Sequence, residues 1–552
     1  MSQHHSRRSR TRRSALASTG IALSAAFVLT SCAGAPDSGE SVAPAEFEIT
    51  ADSPDPTGPI DSFTWSLPNE PGSLDFAYTN DYAPSTVLAN VCDSLFRWDN
   101  DLSVSPGLAE SYTQVDDTTY VYKLRPDVKF HDGTVMTSAD VVASFTRHQD
   151  PAVGSYWVSE FLDAQIQATG PLEVTITLPR PNALFNSWLA TTAGVVESAQ
   201  TLATADETYG TPSGGVNCTG PFTLGSWTSG KSITLEKFDD YWDPELTAQA
   251  GEVEFVFLPD WTARMNAMTA GEVDGGFGIA PSALSQLSDS DHGDVYFGLN
   301  TTTDSVIVTD MEGPLGDTRV RQALLTALDR QGMVDSIYRG YAKTADTLIP
   351  DSTWVGYDVD AIEAALPDGY DYDPEAAKKL VEGIDLSGES IVIASYAGFE
   401  PFEILAQALV QAAETIGLDA TINSVAGDEY GAYFGEPENR KDIDLLPTLW
   451  YISSGDGAQF MSTLLPDGFS NYGNWKNDEY VDLYNQMSAQ ATPEDRQDTV
   501  AKMNALLATE IPWLPLETQP STMFISDRIT GPSPAINYLY YPWAAAVGAA
   551  GS

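Results

Sequence analysis

Three cysteines, five histidines and 27 lysines and arginines stand in 552 residues, against 78 aspartates and glutamates. Each scarcity excludes something. No C-x-x-C pair is present, so the usual zinc and thiol-redox spacings are missing. Beyond the first few residues the histidines are His131, His148 and His292, with no H-E-x-x-H and no G-x-S-x-G. A secreted hydrolase therefore finds no motif to rest on. No phosphate or calcium loop appears either, so no cofactor and no metal is expected. The shortage of basic residues leaves a net charge of −51. Such a field repels nucleic acid and anionic headgroups and favours a soluble monomer. The acids are spread along the chain, which reads as a solvated acidic surface rather than a lure for cationic solutes. Long apolar runs are lacking too. Residues 15–29 (ALASTGIALSAAFVL) fall short of the roughly 20 residues a spanning helix needs.

That short run has an informative setting. Arg7, Arg8, Arg10, Arg12 and Arg13 precede it without an acid, and small residues follow, which makes residues 1–31 a secretory signal peptide. Leu29-Thr30-Ser31-Cys32 resembles the bacterial lipobox, whose cysteine receives diacylglycerol and becomes the first mature residue. The expected location is the extracytoplasmic face of the cell membrane, lipid-anchored through Cys32. Arg12-Arg13 suits twin-arginine export, but Phe-Leu-Lys does not follow it, so Sec and Tat both stay open. Residues 33–59 are small, acidic and proline-rich, so 32–59 are expected to form the anchor and a flexible tether. After Cys32 only Cys92 and Cys218 remain. In an oxidising compartment two leftover thiols pair, and a Cys92–Cys218 disulfide is expected over two buried free thiols.

Hydrophobic residues make up 42% of the chain, enough for two or three cores. Residues 63–67, 119–124, 173–178, 232–237 and 252–258 read as strands, most alternating apolar and polar. So do 390–395, 419–425 and 444–449. Helices show their caps: Thr137 with Asp140, Asp373-Pro374 with Gly383 beyond the end, Pro401 to Gly417, and Thr492 to about Thr509. Asp317 heads a run predicted to stay helical through residue 339. The mixture is α/β.

Four blocks then carry a resemblance. Gly107-Leu108-Ala109-Glu110-Ser111, Tyr120–Arg125, Val128–Gly133 and Ala139–Phe145 form the first. Thr219-Gly220-Pro221-Phe222 with Tyr241-Trp242 form the second. Asn300, Pro314-Leu315, Arg319–Ala323 and Ala327–Arg330 form the third, and residues 471–484 with 511–516 the fourth. Spread from about 63 to 532, they resemble the extracellular solute-binding proteins of the dipeptide, oligopeptide and nickel class, family 5. The resemblance implies a two-lobed, type II periplasmic-binding-protein-like α/β fold of the large cluster, with a hinge-closing cleft. It implies lobe I from 60–90, 215–310 and 522–552, an extra subdomain from 91–214 and lobe II from 311–521. Its implied partners are a small peptide-like solute and the permease and ATPase subunits of an ABC importer.

The same resemblance implies ligand contacts at Asn80, Asp81, Tyr82, Tyr156 or Trp157, Phe297, and the stretch from Trp450 to Asp456. Family members that take free peptides place an Asp three residues after that Trp, where it holds the ligand's α-ammonium. Here Ser453 stands there, with Asp456 the next carboxylate. A hydroxyl cannot replace a charge-assisted bond of roughly 1.5–3 kcal/mol. Either Asp456 serves, or the solute lacks an ammonium at that point: a blocked peptide, an oligosaccharide or another neutral molecule. A sensor that signals rather than feeds an importer is the remaining alternative.

Overall fold

The computed structural model describes residues 48–551 apart from 436, 467 and 469. The signal segment, Cys32 and most of the expected tether lie outside the described residues.

Two sheets organise the chain. One has seven strands in the order Gly293–Gly298, Ser521–Ser526, Gly275–Phe277, Ile60–Leu67, Ala250–Phe257, Ser232–Lys237 and Phe222–Thr228. The other has six: Lys343–Thr344, Trp513–Thr518, Thr302–Val308, Leu445–Tyr451, Ser390–Tyr396 and Asp419–Val425. These are the sheets of lobes I and II. A separate four-stranded antiparallel sheet builds the extra subdomain, where Tyr120 faces Ile176 and Tyr122 faces Val174, all inward.

The chain passes from lobe I to lobe II between Gly298 and Thr302, and returns between Thr518 and Ser521. The first crossing therefore falls well before residue 310. Thr302–Val308, assigned above to lobe I, is a central strand of lobe II, paired with Leu445–Tyr451 on one side and Trp513–Thr518 on the other. Every residue in it is buried. A strand buried on both faces has no alternation to reveal it. Asn300 ties the crossings together, its Nδ2 donating to the Gln519 carbonyl at 2.9 Å.

Two further expectations change. Residues 48–59 do not behave as free tether: Thr50 N–H donates to the Phe297 carbonyl at 2.8 Å and Thr57 N–H to the Ala549 carbonyl at 2.9 Å. Ser53 Oγ donates to the Pro532 carbonyl at 2.8 Å. Backbone pairing on lobe I supplies what composition lacks. The run after Asp317 also breaks. Its helix covers Thr318–Ala327, Leu328 turns extended, and Asp329 caps a new turn by accepting from Gly332 N–H at 2.8 Å. The Thr137–Asp140 capping box, the Asp373 cap and the Thr492 cap all form.

Cys92 and Cys218 are disulfide-bonded and buried where the extra subdomain leaves lobe I. Closing 126 residues is worth roughly 4–5 kcal/mol in the chain-entropy model. Beside the bridge, buried Asp93 accepts from Thr219 Oγ1 at 3.1 Å, Tyr241 OH at 3.0 Å and Trp242 Nε1 at 2.8 Å. The Arg97 and Arg125 guanidiniums both lie over the Trp242 ring, 4.8 and 5.0 Å from its centre. Gly220 fits because a Cβ there would meet the Val91 backbone at 2.5 Å.

Next to the hinge, Asp304 faces Glu517 across the strands. Both are buried, Tyr338 OH donates to Asp304, and Glu517 Oε2 has no hydrogen-bond partner among the described residues. Neither forms an ion pair with any described cation. Desolvation raises both carboxyls, Glu517 well above its ordinary range. The folded pair thus holds a proton that the unfolded chain, with carboxyls near 4, has shed. The resulting stability is present below about pH 4 and is lost as pH rises through the raised values. In scanning calorimetry, Glu517→Gln is expected to melt about 2–4 °C above the parent at pH 7.5. It should also flatten the rise in melting temperature on going to pH 5. Identical slopes would refute the assignment.

Candidate functional site

The lobes meet across hydroxyls. Tyr82, the first residue of the helix Tyr82–Val91, brings its OH to 3.3 Å from Thr302 Oγ1 at the hinge. From lobe II, Tyr451 OH donates to the Asn80 carbonyl at 2.7 Å and lies 3.1 Å from Tyr540 OH. Tyr540 OH in turn reaches Ser453 Oγ at 3.5 Å. The extra subdomain also touches lobe II. Ala183 N–H donates to the Ser488 carbonyl at 3.1 Å, and Leu184 is buried in the lobe II core.

The segment before the helix is locked in place. Asp75 is ion-paired with Arg147 and accepts from Ala77 N–H at 2.9 Å. Thr79 Oγ1 donates to the Asp75 carbonyl at 2.9 Å, and Thr192 Oγ1 to the Thr79 carbonyl at 2.5 Å. Asp81 follows as the N-cap, accepting from Tyr82 N–H at 2.7 Å. Its side chain is reached by solvent, yet desolvation raises its carboxyl, offset in part by that backbone bond. Accessible but closely surrounded is the condition of a cleft wall. Tyr156 shares it: the residue is 37% exposed while desolvation raises its phenol. Glu160 is half-buried and pushed up to about 7, by desolvation against the Ser159 hydroxyl and the Arg180 charge.

Of the residues named from sequence, Asn80, Asp81, Tyr82, Tyr156 and Ser453 come together along this cleft. The others have side chains engaged by neighbouring residues. Trp157 is 3% exposed and packs against Trp188 in the extra subdomain. The Phe297 ring stacks on Tyr341 at 5.3 Å, and that of Trp450 packs edge-on to Trp513 at 5.4 Å. Asp456 is an N-cap, ion-paired with Arg496 and accepting from Tyr357 OH at 2.9 Å. Its carboxylate is engaged within lobe II by Arg496 and Tyr357. Tyr451 falls within the stretch named from sequence, whereas Tyr538, Tyr540 and Glu160 are not named there. The run Asn537–Tyr541 carries three tyrosines in five residues, the one signal that could have pointed there.

The histidines give no catalytic centre. His148 is buried between Ser155 Oγ at 2.7 Å and the Ala193 carbonyl at 3.2 Å, and burial pushes it down to about 3. His131 lies against the Gly220 carbonyl at 3.1 Å and is pushed down to about 4, again by burial. Both stay neutral and structural. Among the described residues no cluster of three or more His, Cys, Asp or Glu could hold a metal. No helix among them is long and apolar enough to cross a membrane.

Comparison with known proteins gives a consistent result. The model of bacterial extracellular solute-binding proteins, family 5 (middle), matches residues 103–472. A glutathione-binding protein, GsiB of Escherichia coli K12, is 26% identical over 470 residues, 83% of this chain and 89% of its own. The solved structure of the binding protein AgaA with agropinic acid, from A. tumefaciens R10, superposes with a TM-score of 0.77 at 21% identity. It covers 88% of this chain and 98% of that one. DppA of Helicobacter pylori, solved with the peptide STSA, gives 0.77 at 20% identity over 90% and 99%.

Tyr451 carries the bond between lobes, so its hydroxyl should bias the closed form. Tyr451→Phe removes the contacts to Asn80 and Tyr540, together about 1–2 kcal/mol. Small-angle scattering of the solute-free variant is expected to give a larger radius of gyration than the parent. Equal radii would show that the bond does not hold the lobes.

Proposed function

The chain belongs to the bacterial extracellular solute-binding proteins of family 5, the capturing components of ABC importers, and from that premise we propose its specific role. It is held at the outer face of the cell membrane by lipid on Cys32. It closes its two lobes on a peptide or peptide-like solute and delivers it to the permease and ATPase subunits. The observation that supports this reading most directly is the cleft at the hinge. A locked segment, Asn80–Tyr82, faces Tyr451 and Ser453 of the opposite lobe, with the crossings at 299–301 and 519–520 beside them.

The chemistry of such a trap follows from closure. Water leaves, the local dielectric falls, and each hydrogen bond to the solute strengthens. Tyrosines suit the task, since a ring packs on apolar parts while its hydroxyl bonds to polar ones. A neutral solute such as an oligosaccharide draws support from Ser453, but the Asp81 carboxylate, which among the described residues accepts only from Tyr82 N–H, weighs against a wholly uncharged guest.

Anchor and capture are separately testable. Cys32→Ser cells should release the protein into the medium and leave it unlabelled by radioactive fatty acid, whereas the parent stays in the membrane fraction and takes label. Labelled Cys32→Ser protein would refute the anchor. Capture predicts that the mature protein retains a small molecule from its own host, detected by native mass spectrometry.

A further inference from the structure

We propose that Asp81 is the charged anchor of the cleft and that the captured solute presents it with a cationic nitrogen, an ammonium or a guanidinium. The inference rests on the solute-capture reading above. Three structural observations support it.

Asp81 has spare capacity. One carboxylate oxygen, Oδ1, accepts from Tyr82 N–H at 2.7 Å, while Oδ2 accepts from no described residue. No lysine or arginine forms an ion pair with it among the described residues. Asp75 and Asp456, by contrast, are ion-paired with Arg147 and Arg496, and Asp304 accepts from Tyr338 and Gln519. Arg264, whose charge is felt at Tyr538, directs its donors to oxygens of Ser66, Phe277 and Gly278. Closing the cleft would strip water from the Asp81 carboxylate, which is costly unless a partner completes it.

Its surroundings favour a cation. Tyr82 follows Asp81 in the chain, and the Asp81 charge helps to raise the phenols of Tyr82, Tyr538 and Tyr540. Ring faces attract a cation, and phenol oxygens accept from its N–H groups.

Its neighbour Asn80 is linked across the lobe boundary to Ser453 through two tyrosine hydroxyls. The neighbouring Asn80 carbonyl is clamped by Tyr451, and Tyr451 meets the Tyr540 hydroxyl that reaches Ser453. The charge that lobe II lacks at Ser453 is thus supplied from lobe I, across the same hydroxyl chain.

A plain structural role for Asp81, capping its helix, makes a different forecast. Asparagine caps a helix as well as aspartate does. Asp81→Asn therefore removes the charge and keeps the cap. The mature parent and Asp81→Asn are each exposed to the low-mass fraction of an extract from the protein's own cells. Retained molecules are identified by mass spectrometry, and the affinity of the principal one is measured by calorimetry at pH 7. The expected result is a solute with a protonated nitrogen, bound about 30-fold more weakly by Asp81→Asn, with both proteins melting at the same temperature. An uncharged or purely anionic solute, or an affinity within about threefold in the variant, overturns the role of Asp81 and leaves solute capture standing. A parent that retains nothing overturns solute capture and Asp81's role with it.

Discussion

The molecule depends on how few covalent links join its halves. The backbone passes between lobes at 299–301 and at 519–520, and the Asn300 side chain binds one crossing to the other. Two short parallel tracks allow rotation about one axis and resist shear. Other inter-lobe contacts are free to form and break with closure, and several are polar contacts that water can replace: Tyr82 with Thr302, Tyr451 with Asn80 and Tyr540. Capture is a change in which of these bonds are made to protein and which to solvent or guest.

Rigidity elsewhere makes that freedom useful. The Cys92–Cys218 bridge and the buried Asp93 knot fix the extra subdomain to lobe I, so the two move as one body. Arg321 does the equivalent in lobe II. Its buried guanidinium donates to the Leu315, Glu510 and Ile511 carbonyls and pins its helix to the end of a distant one. The four sequence blocks fall largely on such knots, which is why they identify the family and are silent about the ligand.

Local chemistry was legible in the sequence wherever it was written in caps or alternation. The strand at 119–124, the Thr137–Asp140 box and the positive-φ stops at Gly383 and Gly417 all needed only neighbours to predict. The hinge was not legible at its true place, because Thr302–Val308 is buried on both faces and shows no period. The helix after Asp317 was read too long because Asp329 resembles any helical acid until its cap on Gly332 is seen. In the cleft, five of the named residues converge, while Asp456 does not, since an Arg496 forty residues later claims it. Tyrosines 451, 538 and 540 are of the same type as those in the core, and only tertiary structure separates the two uses.

Leu184 adds a consequence for timing. This side chain belongs to the arm fixed on lobe I yet is buried among lobe II residues. Separating the lobes must bring it back into water, at roughly 2 kcal/mol, or about 30-fold in the balance between the shut and gaping forms. A trap biased towards being shut holds its cargo well and gives it up reluctantly. The work of prising it open then falls to whatever docks against it, and the rate of delivery becomes a property of that encounter rather than of the solute.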